Sequence, residues 1–167
     1  MLAPLSEDLV EETWQEFSDF SAEQGDKEVK RVAKLQPGLL AFIIEMTEEL
    51  DEDAQELGVF MFFVIHRMFE KGYGKKIRKV TDKEITACHK ENQSMLESLT
   101  GADEKTWEEM VSAQVSGQPY VFQYLVEALF EEPEEEEEPD FLSEEDKSIL
   151  FMVLKTVIDV LDDKTDG

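Results

Sequence analysis

The chain has 167 residues, 41 acidic against 16 basic, and a formal charge of −25, which excludes phosphate binding by the surface as a whole because such contact needs neutralising Lys and Arg. A hydrophobic content of 41% with eleven Phe excludes a wholly disordered polyelectrolyte, and one domain with a single sizeable core fits this length. A lone cysteine, Cys88, excludes an intramolecular disulfide framework and fits a reducing compartment.

Met1–Asp8 offers no basic n-region and no apolar h-region, so no secretory signal is expected. No stretch reaches the roughly 20 apolar residues that cross a bilayer. The expectations are therefore a cytoplasmic location, no membrane partner and no direct nucleic-acid partner.

In chain order, Ser6 with Glu7 and Asp8 forms a helix start. Leu9, Val10, Thr13, Trp14, Phe17 and Phe20 recur at helical spacing, which predicts a helix over 6–21 with these residues inward. Gly25-Asp26 reads as a break, followed by a short helix through Val29, Val32 and Leu35. Gln36-Pro37 opens a helix over 37–49, proline being tolerated in the first turn. Asp51 or Asp53 caps a helix over 52–71. Its segment Val59-Phe60-Met61-Phe62-Phe63-Val64-Ile65 is apolar on every face and predicts a fully buried central helix. Gly72 ends it as a C-cap, and Lys75–Val80 reads as a basic connection.

Thr81-Asp82-Lys83-Glu84 has the form of a capping box, predicting a helix over 82–99 with Ile85, Cys88, Met95, Leu96 and Leu99 inward. Asp103 starts a helix through Trp107, and Gln118-Pro119 another through Phe130. Pro133–Pro139 encloses five consecutive glutamates, so 133–140 is expected to be an acidic flexible loop. Ser143 caps a last helix with Ile149, Leu150, Val153, Leu154, Val157, Ile158 and Leu161 inward. The fold class is therefore all-α, a single globular bundle of seven to eight helices.

The only two tryptophans fall in matching strings, Thr13-Trp14-Gln15-Glu16 and Thr106-Trp107-Glu108-Glu109. Gln36-Pro37 and Gln118-Pro119 follow them, and Leu57–Phe69 then aligns with Ile149–Leu161. This pattern points to an internal duplication over 6–99 and 103–161, giving two pseudo-symmetric halves with the long helices packed near the middle.

Chemistry-bearing residues are sparse. His66 and Glu70 stand one turn apart, a pairing that serves as metal ligands or an acid–base couple; His66 is otherwise expected to close the buried segment with its ring half exposed. Cys88 and His89 are adjacent, so on a helix they point about 100° apart and share no metal. Glu45, Glu48, Glu49 and Glu52 read as a solvated face, and Gly72–Lys76 follows a helix, unlike a phosphate cradle.

Eight of the sixteen basic residues lie between Arg67 and Lys90, so the molecule is polarised. The leading reading is a non-enzymatic protein-interaction module that needs no cofactor. Lys71, Lys75, Lys76, Arg78, Lys79 and Lys83, with Tyr73 and Ile77 beside them, form its expected partner-binding segment. The alternatives are a metal-dependent hydrolase using carboxylates with His66, and an acidic mimic of nucleic acid.

Overall fold

The computed structural model describes residues 4–98, 105, 118–130 and 144–163. Among them are seven helices: α1 (Glu7–Ser18), α2 (Ala22–Leu35), α3 (Pro37–Thr47), α4 (Glu52–Tyr73), α5 (Asp82–Ser98), α6 (Pro119–Phe130) and α7 (Glu144–Asp163). No strand occurs among the described residues, and the all-α bundle is as the sequence predicts. No described helix is long and apolar enough to cross a membrane. The expected loop over 133–140 and the helix around Trp107 lie outside the described residues.

The long helices α4 and α7 pack on each other at the centre. Helix α7 also meets α3, α5 and α6, while α4 meets α1, α2, α3 and α6. Burial on α7 extends beyond its expected face to Phe151, Lys155, Thr156 and Val160. Helix α4 buries Met61, Phe62, Val64, Ile65, Met68 and Phe69 almost completely. It is not buried all round, however: Phe60 is 39% exposed, because the helices flanking it leave a groove open there.

The start signals work as their chemistry dictates. Ser6 Oγ accepts from the Leu9 amide at 3.2 Å. Thr81 and Glu84 form the reciprocal capping box, Thr81 Oγ1 accepting from the Glu84 amide and Glu84 Oε1 from the Thr81 amide, both at 3.3 Å. Asp51 occupies the cap position of α4 without a side-chain bond to the helix.

Three sequence expectations need correction here. Helix α2 starts at Ala22, not after Gly25, because Ser21 and Gln24 make a complete capping box and one glycine inside a helix costs only about 1 kcal/mol. Helix α4 runs through Gly72 and ends at Gly74, whose φ of 57° lies in the region glycine alone adopts freely. Trp14 is 45% exposed, although it shares the spacing of the buried Val10 and Phe17.

Two glutamine–proline steps set the corners of the bundle. Gln36 and Gln118 are buried, and each proline opens the next helix. The Gln36 Oε1 accepts from the Val80 amide at 2.9 Å while its Nε2 donates to the Arg78 carbonyl at 3.0 Å. The Gln118 Oε1 accepts from the Leu5 amide at 2.9 Å, and its Nε2 donates to the Tyr73 hydroxyl at 2.6 Å and to Asp162 Oδ1 at 2.9 Å. Val80 and Leu5, the residues held, are themselves buried one step ahead of α5 and α1.

Candidate functional site

The basic segment after α4 has a defined shape. A 3-10 turn over Gly74–Lys76 leads into extended chain that Gln36 grips at Arg78 and Val80. Ile77 packs on the core. Tyr73 is tied to Gln118, and its hydroxyl pKa is raised by burial, with the Gln118 hydrogen bond opposing and the Asp162 charge adding. Lys76, Arg78, Lys79 and Lys83 are exposed. Lys71 is held in an ion pair with Glu16 on α1, so it belongs to the packing of α1 on α4. The Lys75 side chain lies outside the described atoms.

His66 and Glu70 sit in a network that joins three helices. Arg31 of α2 pairs with Glu28 at 2.5 Å and with Glu70. Arg67 reaches Glu70 at 3.0 Å and Glu16 at 3.7 Å. Burial pushes the Glu70 carboxyl pKa up, but the hydrogen bond and charge of Arg31, the Arg67 hydrogen bond and the charge of His66 reverse this and hold it below its ordinary value. The Arg31 guanidinium likewise stays firmly protonated against its own desolvation because Glu70 and Glu28 both bond it.

His66 is 2% exposed, not half exposed, since α4 keeps its buried face through Phe69. Burial drives the imidazole towards its neutral form, Arg31 and Arg67 add to this, and Glu70 and Glu28 oppose it. Its Nδ1 is buried without a hydrogen-bond partner, and the ring borders a cavity of about 450 Å³ with Gln36, Glu70, Ile77 and Lys79. Both Glu70 oxygens are engaged by arginines, so the pair presents no free carboxylate. No group of three or more His, Cys, Asp or Glu side chains among the described residues is placed to hold a metal ion.

Cys88 and His89 do not converge. The Cys88 thiol points to the Thr156 carbonyl at 4.0 Å, and the His89 ring meets Phe42 edge-on with centroids 5.3 Å apart. Beside Cys88 lies a buried polar group that sequence reasoning did not single out. Lys155 donates to Asn92 Oδ1 at 2.8 Å and to Asp159 Oδ2 at 2.7 Å. Asn92 donates to Thr156 Oγ1 at 3.0 Å and to Asp159 Oδ2 at 3.2 Å. The polar side-chain atoms of Lys155, Asn92 and Thr156 all meet partners, the arrangement that makes a buried lysine tolerable, so its work is to fix α5 on α7.

A larger and more apolar opening lies elsewhere among the described residues. Phe17, Phe20, Val29, Ile44, Val59 and Phe60 line a groove of about 580 Å³, with Phe63 at its floor. Phe60, Ile44 and Val29 are 39%, 46% and 41% exposed. Phe17 stacks on Phe20 with centroids 4.4 Å apart and meets Phe60 edge-on at 6.2 Å, so the aromatic wall is preorganised. Glu56 also lines the groove, and Glu28 borders it with its carboxylate bound by Arg31. Exposed Glu52 and Glu48 stand one turn beyond Glu56 and Ile44 on the same helix faces, as i,i+4 spacing requires. The sequence signal for it was the density of Phe on two separate helices, which periodicity assigned wholly to the core.

These features define an all-α bundle that carries an acid-rimmed apolar groove and a fixed basic segment. Comparison of the chain with protein-family models, with curated proteins and with solved structures gives no match.

Proposed function

We propose that the protein is a non-enzymatic interaction module whose groove between α1, α2, α3 and α4 receives an amphipathic helix with a basic polar face. The carrying observation is the exposure of Phe60, Ile44 and Val29 in one acid-rimmed concavity. Apolar faces of helices dock in such grooves through anchors at i, i+3, i+4 and i+7, and aromatic walls supply the residues that dominate binding. Glu48, Glu52 and Glu56, on a chain of charge −25, select Lys and Arg on the partner's flanks and repel an acidic helix or a second copy of this chain.

Fluorescence anisotropy with a labelled basic amphipathic peptide tests this. Saturable binding that weakens with salt, and its loss in a peptide with the same apolar face but acidic flanks, are the expected results. Equal binding of both peptides overturns the role of the rim; no binding of either overturns the role of the groove.

A second reading gives the segment from Lys71 to Lys83 an acidic partner. What supports it is the exposure of Lys76, Lys79 and Lys83 on a chain that Gln36 holds in one conformation. Charge reversal of Lys76 and Lys79 then removes capture of an acidic peptide while leaving the melting temperature nearly unchanged, because exposed ion pairs contribute only about 0–1 kcal/mol.

The proposal extends to an internal duplication, in a register that begins its halves at Leu5 and Val80. Supporting it, Gln118 holds Leu5 as Gln36 holds Val80. Helix α1 packs on α4 and α6 as α5 packs on α7 and α3. Aligning Leu57–Phe69 with Ile149–Leu161 makes Gly58 and Leu150 equivalent, and these two residues adjoin where the long helices meet, as equivalent residues do on a two-fold axis. This register sets α1 against α5, so it does not keep the match of Trp14 with Trp107, and Trp107 lies outside the described residues.

A further inference from the structure

A cleft of about 440 Å³ between α1 and α6 shares no lining residue with the apolar groove. Its walls combine two exposed aromatic rings, Trp14 at 45% and Tyr120 at 38%, with the carboxylates of Glu7, Glu11 and Glu127. We propose that this cleft is a receptor for a guanidinium group, the side chain of an arginine on a basic peptide.

Three observations converge on that chemistry. An exposed indole is the best of the aromatic faces for a cation, and Trp14 is exposed although its helical spacing would allow burial. Carboxylates come from both sides, Glu7 and Glu11 from α1 and Glu127 from α6, so a cation between the helices meets opposite charge on two walls. Gln123 Nε2 donates to Glu127 Oε1 at 2.9 Å, which fixes that carboxylate and leaves its second oxygen to accept. A planar guanidinium stacks on a ring while its edge donates to carboxylates. A quaternary ammonium has no N–H to give them, and a lysine ammonium has no plane to stack.

The corresponding junction of α5 with α3 closes on a ring contact. There the Phe42 and His89 rings meet edge-on at 5.3 Å, and Gly38 follows Gln36-Pro37 where Tyr120 follows Gln118-Pro119. The α1–α6 junction instead leaves its aromatic residues apart, with space between them.

The test uses the intact wild-type chain and NMR. With two tryptophans in the chain, the Trp14 indole N–H resonance is assigned by its disappearance in Trp14→Phe. Titration with N-acetyl-arginine amide is expected to shift it saturably. N-acetyl-lysine amide and tetramethylammonium bind more weakly. Glu11→Gln and Glu127→Gln, both at exposed positions, each weaken the arginine probe roughly two- to fivefold, the factor that exposed charge pairs supply. Absence of a saturable shift, equal binding of the three cations, or affinity indifferent to both Glu substitutions overturns the proposal. Tighter binding of tetramethylammonium reassigns the cleft to quaternary ammonium groups and overturns it equally.

Discussion

Gly58 on α4 and Leu150 on α7 adjoin so closely that a Cβ on the glycine would stand 2.6 Å from Leu150 Cδ2. Leu150 is fully buried, so its side chain would have to turn within the core to admit that Cβ. This contact sets how near the two central helices come, and through them the positions of α1, α3, α5 and α6.

Gly58→Ala should therefore break the rule for helix interiors. Propensity alone favours alanine by about 1 kcal/mol, whereas overpacking a filled core costs about 1–3 kcal/mol. Urea unfolding is expected to show a less stable protein. In a Leu150→Ala background the same substitution becomes stabilising, because the obstructing methyl is gone. Stabilisation by Gly58→Ala in the wild-type background would mean that the helices are free to separate there.

The two glutamine clamps make a paired prediction. Gln36→Ala leaves the Val80 amide and Arg78 carbonyl without their partner, and Gln118→Ala does the same to the Leu5 amide. Each buried group left unpaired costs about 1–3 kcal/mol. Hydrogen exchange should show the Val80 amide losing protection in the first variant alone and the Leu5 amide in the second alone. Unchanged protection would show that these carboxamides hold nothing.

His66 sets a pH dependence whose sign follows from its surroundings. Burial, helped by Arg31 and Arg67 and opposed by Glu70 and Glu28, lowers its pKa beneath the ordinary 6.5. In the unfolded chain the imidazole takes up its proton near 6.5, before the folded protein does. The stability that neutral His66 contributes is thus present above pH 6.5 and is lost as pH falls towards the folded value, at up to about 1.4 kcal/mol per pH unit. His89 is displaced in the same direction by its own burial, so the comparison must hold it constant. Denaturant unfolding of wild type and His66→Gln between pH 7.5 and 5.5 should show the steeper loss in wild type. Parallel profiles would mean that His66 is not held neutral.

Much of the fold was legible because its signals are local. Thr81 and Glu84 announce a helix start by chemistry four residues long, and Pro37 and Pro119 can open helices but hardly lie within them. One failure is itself local, the capping box beside Gly25, and the others occur where a distant element decides. Ser21 and Gln24 override Gly25 because a satisfied cap outweighs one glycine. Trp14 and Phe60 carry the periodicity of core residues, yet periodicity records which side chains favour burial and not whether a neighbouring helix arrives to cover them. Of the expected binding segment, Lys71 turned out to serve the packing of α1, a pairing across 55 positions of sequence. Arg31 and Glu70 are 39 positions apart, and no spacing rule connects them.

The most direct measurement of the proposed function follows side-chain signals of Ile44, Val29, Val59 and Ile77 by methyl NMR while a basic amphipathic peptide is added. Docking in the groove predicts shifts at Ile44, Val29 and Val59, none at Ile77 beside the basic segment, and their loss in Phe60→Asp. Shifts at Ile77 alone, or groove shifts that survive Phe60→Asp, would contradict it.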